Sequence, residues 1–149
     1  MNAPAKGKAK LLVPFDFTKE AEGALDFALN YSQVLAADVY LFHVLEGSSR
    51  DFRRTDRLNE EYMDRMQQAV VAAHERMTSK GGTAHVENVH RRMGAGKPAA
   101  EIIKMAGGIN ADLIIMGAAN SRSAIKMLQK APCTVVLVKE KDTSFVMVD

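Results

Sequence analysis

Short apolar runs, alternating with stretches of helical periodicity, are the feature that most constrains how this chain can fold. Residues 9–16 ("AKLLVPFD"), 38–46 ("DVYLFHVLE"), 112–117 ("DLIIMG") and 133–140 ("CTVVLVKE") each read as a strand. Several are apolar throughout rather than alternating, as expected of strands covered on both faces. Residues 83–90 alternate and read as a further, less buried strand, with "MGAGKP" as the turn after it. Thr18 stands where a helix N-cap belongs, and behind it Ala21, Ala24, Leu25, Ala28, Leu29, Ser32 and Leu35 recur at steps of three and four. A second helix spans 56–80, with Tyr62, Met66, Ala69, Val70, Ala73 and Met77 on one face and Gly81-Gly82 as its stop. Pro98 opens a third helix that runs to about Ala106, where Gly107-Gly108 should end it, and a fourth follows at 121–130. Met66, Met77, Met105 and Met127 fall at core spacing. The tail "DTSFVMVD" has no assigned place.

Strand–helix alternation of this regularity implies an α/β fold, with a parallel sheet doubly wound by helices on both faces. The 149 residues fit one domain over 1–149, with a core at about 8–140 and a tail at 141–149. A hydrophobic fraction of 47% suffices for a full core. No apolar run approaches membrane-spanning length. "LLVPF" stops at Asp16, too soon for an export signal. The single cysteine, Cys133, excludes an internal disulfide, suits a reducing cytoplasm and reads as a small buried hydrophobe. Net charge is only +2, and the densest basic stretch, "RDFRRTDR" at 50–57, contains Asp51 and Asp56. It reads as a solvated loop, so nucleic acid is not an expected partner.

Ligands of doubly wound sheets bind outside the carboxyl ends of the strands, where strand order reverses. Those ends are Pro14-Phe15-Asp16, His43-Val44 and Met116-Gly117. Asp16 has two readings: an acceptor for a sugar or base, or a structural residue that caps the following helix or buttresses the loop. "GAGKP" at 94–98 is no phosphate-binding P-loop, because Arg91 stands where the first glycine is required and Pro98 where the metal-binding hydroxyl is required. Gly96 fits a tight turn ahead of Pro98. His43 and Asp16 could meet at the strand ends, but no G-x-S-x-G elbow accompanies them. A histidine at a strand end is more often structural. His85 and His90, an odd number of positions apart on one strand, face opposite sides and cannot share a metal. No catalytic residue and no metal site are expected.

Together, "KLLVPFDFTKEAEGALDFALNYSQVLAADVYLFHV", "GKPAAEIIKMA", "ADLIIMG" and "APCTVVLV" resemble the universal stress protein family over about residues 8–140. The resemblance implies a Rossmann-like, adenine nucleotide alpha hydrolase-like sheet of five parallel strands ordered 3-2-1-4-5, with four helices, a cytoplasmic location and homodimers. One branch of the family binds ATP through G-x2-G-x9-G-[ST], starting at the glycine after the fourth strand. By resemblance, the nucleotide-pocket positions here are Pro14, Phe15, Asp16, Val44, Met116 and Gly117, with Asn120 and Ser121 at the degenerate phosphate end.

The chain departs from that motif after Gly117. The second glycine falls on Asn120, and the Gly-Ser/Thr pair falls on Lys130-Ala131, against Pro132. A deletion explains this most simply: the phosphate loop is shortened and the fourth helix starts near Ser121, capped by Asn120 or Ser121. A polyphosphate needs several converging N–H donors, which glycines permit by letting the backbone approach closely. The expected function is therefore that of a non-enzymatic stress-response protein acting through homodimerisation and unidentified protein partners. No ATP is expected as cofactor. The alternative is a sensor that keeps the adenosine half of the pocket and binds AMP or a similar adenylate; a small anion near Arg122 is a lesser variant. The strand at 133–140 should form a sheet edge, open to pairing with a second copy, with "SFVMV" covering it or crossing over.

Overall fold

Leu11, Leu12 and Val13 are all fully buried, although successive side chains on a strand point to opposite faces. Only a sheet enclosed between two helical layers can do this. The computed structural model describes residues 8–46, 55–81, 86–118, 121–139 and 145–148. Its elements are β1 (Lys10–Pro14), α1 (Lys19–Leu35), β2 (Asp38–Leu45), α2 (Thr55–Ser79), β3 (Val89–Ala95), α3 (Pro98–Ile109), β4 (Leu113–Gly117), α4 (Ser121–Lys130), β5 (Thr134–Val138) and β6 (Phe145–Val148). The five parallel strands take the order β3-β2-β1-β4-β5, and β6 is added antiparallel beyond β5. Strand order reverses at β1, which pairs with β2 through Val13 opposite Leu41 and with β4 through Leu12 opposite Ile114.

The strands feed two cores. On one face Leu11, Val13, Val39, Leu41, Ile115 and Val136 pack against Ala24, Leu25, Ala28 and Leu29 of α1 and Met66, Val70 and Ala73 of α2. On the other, Leu12, Phe42, Ile114, Met116 and Val135 pack against Ala99, Ile102 and Ala106 of α3 and Met127 of α4. Met66, Met77 and Met127 are buried as their spacing implies, and Met105 is partly buried. Two polar devices fix α1. Thr18 Oγ1 accepts from the Ala21 amide at 3.2 Å. Arg76 of α2 forms a two-pronged ion pair with Asp26, at 2.8 and 3.0 Å.

Several expectations need correcting. β3 begins at Val89 and runs through Met93-Gly94 to Ala95, so it lies later than 83–90 and the first half of "MGAGKP" is strand. Gly94 belongs there because a Cβ at that position would stand 2.6 Å from Cζ of Phe42, whose ring lies across it. The turn is confined to Gly96, at φ +136°, and Lys97 ahead of Pro98. Gly107 and Gly108 do not end α3. The helix continues to Ile109 and is capped by Asn110 in the left-handed region, whose N–H bonds to the Ala106 and Gly107 carbonyls. Leu35 was placed on the buried stripe of its helix, but it is the last residue of α1 and 51% exposed. Cys133 is only half-buried, and burial pushes its thiol pKa up. β5 is not left open to a second copy: of the two places expected for the tail it takes the one on its own sheet, where Phe145–Val148 covers the β5 edge with Val136 opposite Met147.

Candidate functional site

The site grows from the way β1 ends. The Phe15 amide donates to the Phe42 carbonyl at 2.7 Å, which carries the β1–β2 pairing one residue past Pro14. The backbone then turns through Phe17 at φ +65° and enters α1 at Thr18. Asp16 stands inside this turn. Its Oδ1 accepts from the Thr18 amide at 3.1 Å and from Thr18 Oγ1 at 2.5 Å. Thr18, not Asp16, caps α1; one Asp16 carboxylate oxygen buttresses the turn ahead of the helix, and the side chain remains exposed at the strand end.

His43, near the end of β2, bonds to the same turn. Its Nδ1 lies 2.7 Å from the Phe15 carbonyl oxygen. A carbonyl only accepts, so Nδ1 carries the hydrogen and Nε2 of the neutral ring is left as an acceptor. Burial lowers the His43 pKa below its ordinary value. The Phe15 carbonyl opposes this, the charge of Arg65 adds to it and Asp16 again opposes. The ring also packs on Phe17, 4.9 Å between centroids, and on Tyr62, 4.6 Å.

β4 ends in Gly117. A Cβ here would come within 2.6 Å of both the carbonyl carbon and Cβ of Glu20, and 2.8 Å of the Ala21 amide nitrogen. The glycine lets the strand end lie against the first turn of α1, a packing duty independent of any phosphate. α4 opens at Ser121, after three intervening residues.

These strand ends enclose a cleft of about 400 Å³, within the range of small-molecule sites. Pro14, Phe15, Asp16, Val44, Met116 and Gly117, six of the eight candidate positions, line it together. Asn120 and the side chain of Ser121 lie outside the described part of the chain. The sequence reading missed Thr18, Phe42, Glu46, Tyr62, Pro98 and Ile102 as lining residues. Tyr62 was placed on the core face of its helix. It is partly buried at the cleft, and a hydroxyl-bearing ring in an otherwise aliphatic stripe was the available signal. Pro98 and Ile102 reach the site because α3 starts immediately after the turn at Gly96. The described lining holds two carboxylates, Asp16 and Glu46, and no lysine or arginine.

A sequence model of the universal stress protein family matches residues 9–139, and the chain belongs to that family. Solved structures share the fold. The universal stress protein UspA of Lactobacillus plantarum is 18% identical with a TM-score of 0.66, over 89% of this chain and 99% of that one. A universal stress protein in complex with cAMP is 18% identical with a TM-score of 0.65, over 93% and 100%. The universal stress protein of Archaeoglobus fulgidus in complex with dAMP is 20% identical with a TM-score of 0.59, over 87% and 96%. A search of curated protein sequences gave no significant match. Among the described residues no helix is long and apolar enough to cross a membrane.

Proposed function

We propose that this protein is a non-enzymatic member of the family that binds an adenine mononucleotide in the cleft at the ends of β1, β2 and β4. The observation that carries this reading is the convergence of Pro14, Phe15, Asp16, Val44, Met116 and Gly117 on one cavity of about 400 Å³. Two solved structures of the same fold hold cAMP and dAMP, which supports a mononucleotide as ligand class. The short span from Gly117 to α4 argues against a triphosphate, because few backbone amides can converge there. Titration calorimetry with AMP and with ATP plus magnesium tests the reading. AMP should bind, Asp16→Ala should weaken it, and ATP should bind no more tightly than AMP. Preferential micromolar binding of ATP contradicts the proposal.

Occupancy would be passed on through a homodimer and protein partners. With β5 covered, the outer edge of β6 is the edge on this side of the sheet that a second copy could pair with.

A further inference from the structure

Phe17 occupies a backbone conformation that a bulky side chain adopts only when its surroundings hold it there, at φ +65°. Its ring is held by three others: Phe15 edge-on at 5.0 Å, His43 at 4.9 Å and Tyr62 at 5.6 Å between centroids. On top of this platform lies Arg65 of α2. Its guanidinium carbon is 4.1 Å from the Phe17 ring centroid and 5.2 Å from that of Tyr62. The neighbouring arginines serve the fold differently. Arg76 is clamped by Asp26, and Arg91 donates to the Met63 carbonyl at 3.0 Å. Arg65 has no carboxylate partner among the described residues, and its charge is felt at His43 in the cleft. The carboxylates in the described lining of that cleft, Asp16 and Glu46, repel an anion, and no lysine or arginine is there to offset them.

We propose that Arg65, whose guanidinium carbon lies over the rings of Phe17 and of the cleft-lining Tyr62, anchors the phosphate of the bound mononucleotide. This inference rests on the reading that the cleft takes an adenylate, and adds which group holds the anionic end. A guanidinium stacked by its face keeps its N–H edge in plane and free for two-pronged contact with phosphate oxygens. Stacking also fixes the side chain before the ligand arrives, which lowers the ordering cost of binding. The left-handed Phe17 thereby acquires a purpose, because it puts an aromatic face beneath the arginine.

Titration calorimetry with AMP and adenosine, on the native chain and on Arg65→Gln and Arg65→Lys, tests the proposal. The native chain should bind AMP about tenfold more tightly than adenosine, as a charge-assisted contact implies. Arg65→Gln should reduce AMP to the level of adenosine and leave adenosine within about twofold. Arg65→Lys should restore only part of the difference, since an ammonium lacks the planar fork. Arg65 is exposed, so these variants should fold, with unchanged circular dichroism as the check. If AMP and adenosine bind the native chain equally, or if Arg65→Gln keeps the native ratio, the phosphate role is wrong while the adenylate reading stands. If neither ligand binds at millimolar concentration, the adenylate reading falls and this inference with it.

Discussion

Gly117 tests whether a glycine at the carboxyl end of a sheet strand is there for packing. Gly117→Ala would place Cβ 2.6 Å from two carbon atoms of Glu20 and 2.8 Å from the Ala21 nitrogen. Carbon–carbon contacts settle at about 3.5–4.0 Å, so β4 and α1 must separate by about 1 Å. Neither is free to move. β4 is paired on both sides, and the first turn of α1 is fixed by the Thr18 cap. Overpacking of this kind costs about 1–3 kcal/mol, and a disturbed N-cap adds up to about 1 kcal/mol. Restricting the unfolded chain returns about 0.4–1 kcal/mol. The net expectation is a loss of about 2 kcal/mol, read as a lower urea midpoint at unchanged m, and as a Tm drop of about 4–8 °C. Gly107→Ala and Gly108→Ala are the controls. Nothing lies within 4 Å of a Cβ at either position inside α3, so each should stabilise by about 0.5–1 kcal/mol. If Gly117→Ala lies within about 0.5 kcal/mol of the native chain, the packing argument is refuted.

Three further outcomes are expected. His43 has its folded pKa depressed by burial, so its contribution to stability is complete above the unfolded value near 6.5 and is lost as pH falls through the folded value. His43→Asn, which can still donate to the Phe15 carbonyl, should flatten the fall in urea-unfolding free energy between pH 7.5 and pH 5; an unchanged slope counts against this assignment. Deleting residues 143–149 removes β6 and should weaken self-association, measured by sedimentation equilibrium, whereas an unaltered association constant excludes the tail from the interface. Asp16→Ala should reduce AMP affinity and, by removing an acceptor of the Thr18 N–H, also cost about 1 kcal/mol of stability; a loss of stability with full AMP affinity leaves Asp16 with the role of buttressing the turn alone.

The fold was legible where hydrophobic pattern alone decides structure. Leu11-Leu12-Val13, Ile114-Ile115 and Val135-Val136 are buried on both sides of the sheet, and no other architecture buries such runs so economically. It was illegible where glycine was taken as punctuation. Gly94 is a strand residue because of a ring on the neighbouring strand, and Gly107-Gly108 are helical because packing of Ile102 and Ala106 outweighs their propensity. Neither cause is local in sequence. For the tail, the sequence left open whether it covers the β5 edge or crosses to a second copy, because β6 is defined by its partner β5 and not by local pattern. At the site, the positions at strand ends followed from topology, so Pro14, Phe15, Asp16, Val44, Met116 and Gly117 were accessible to reasoning. Tyr62, Pro98 and Ile102 arrive from helices that fold over those ends, and only the three-dimensional arrangement brings them in. Phe17 carried no signal at all, since its significance lies in a backbone angle.

The proposed adenylate site lies at the ends of β1, β2 and β4. An amide-resolved NMR titration of the isotope-labelled chain with AMP tests it most directly. The predicted result is a saturable set of shifts centred on Phe15, Asp16, Val44, Leu45, Met116 and Gly117. Shifts confined to other surfaces, or a spectrum that millimolar AMP leaves unchanged, would contradict it.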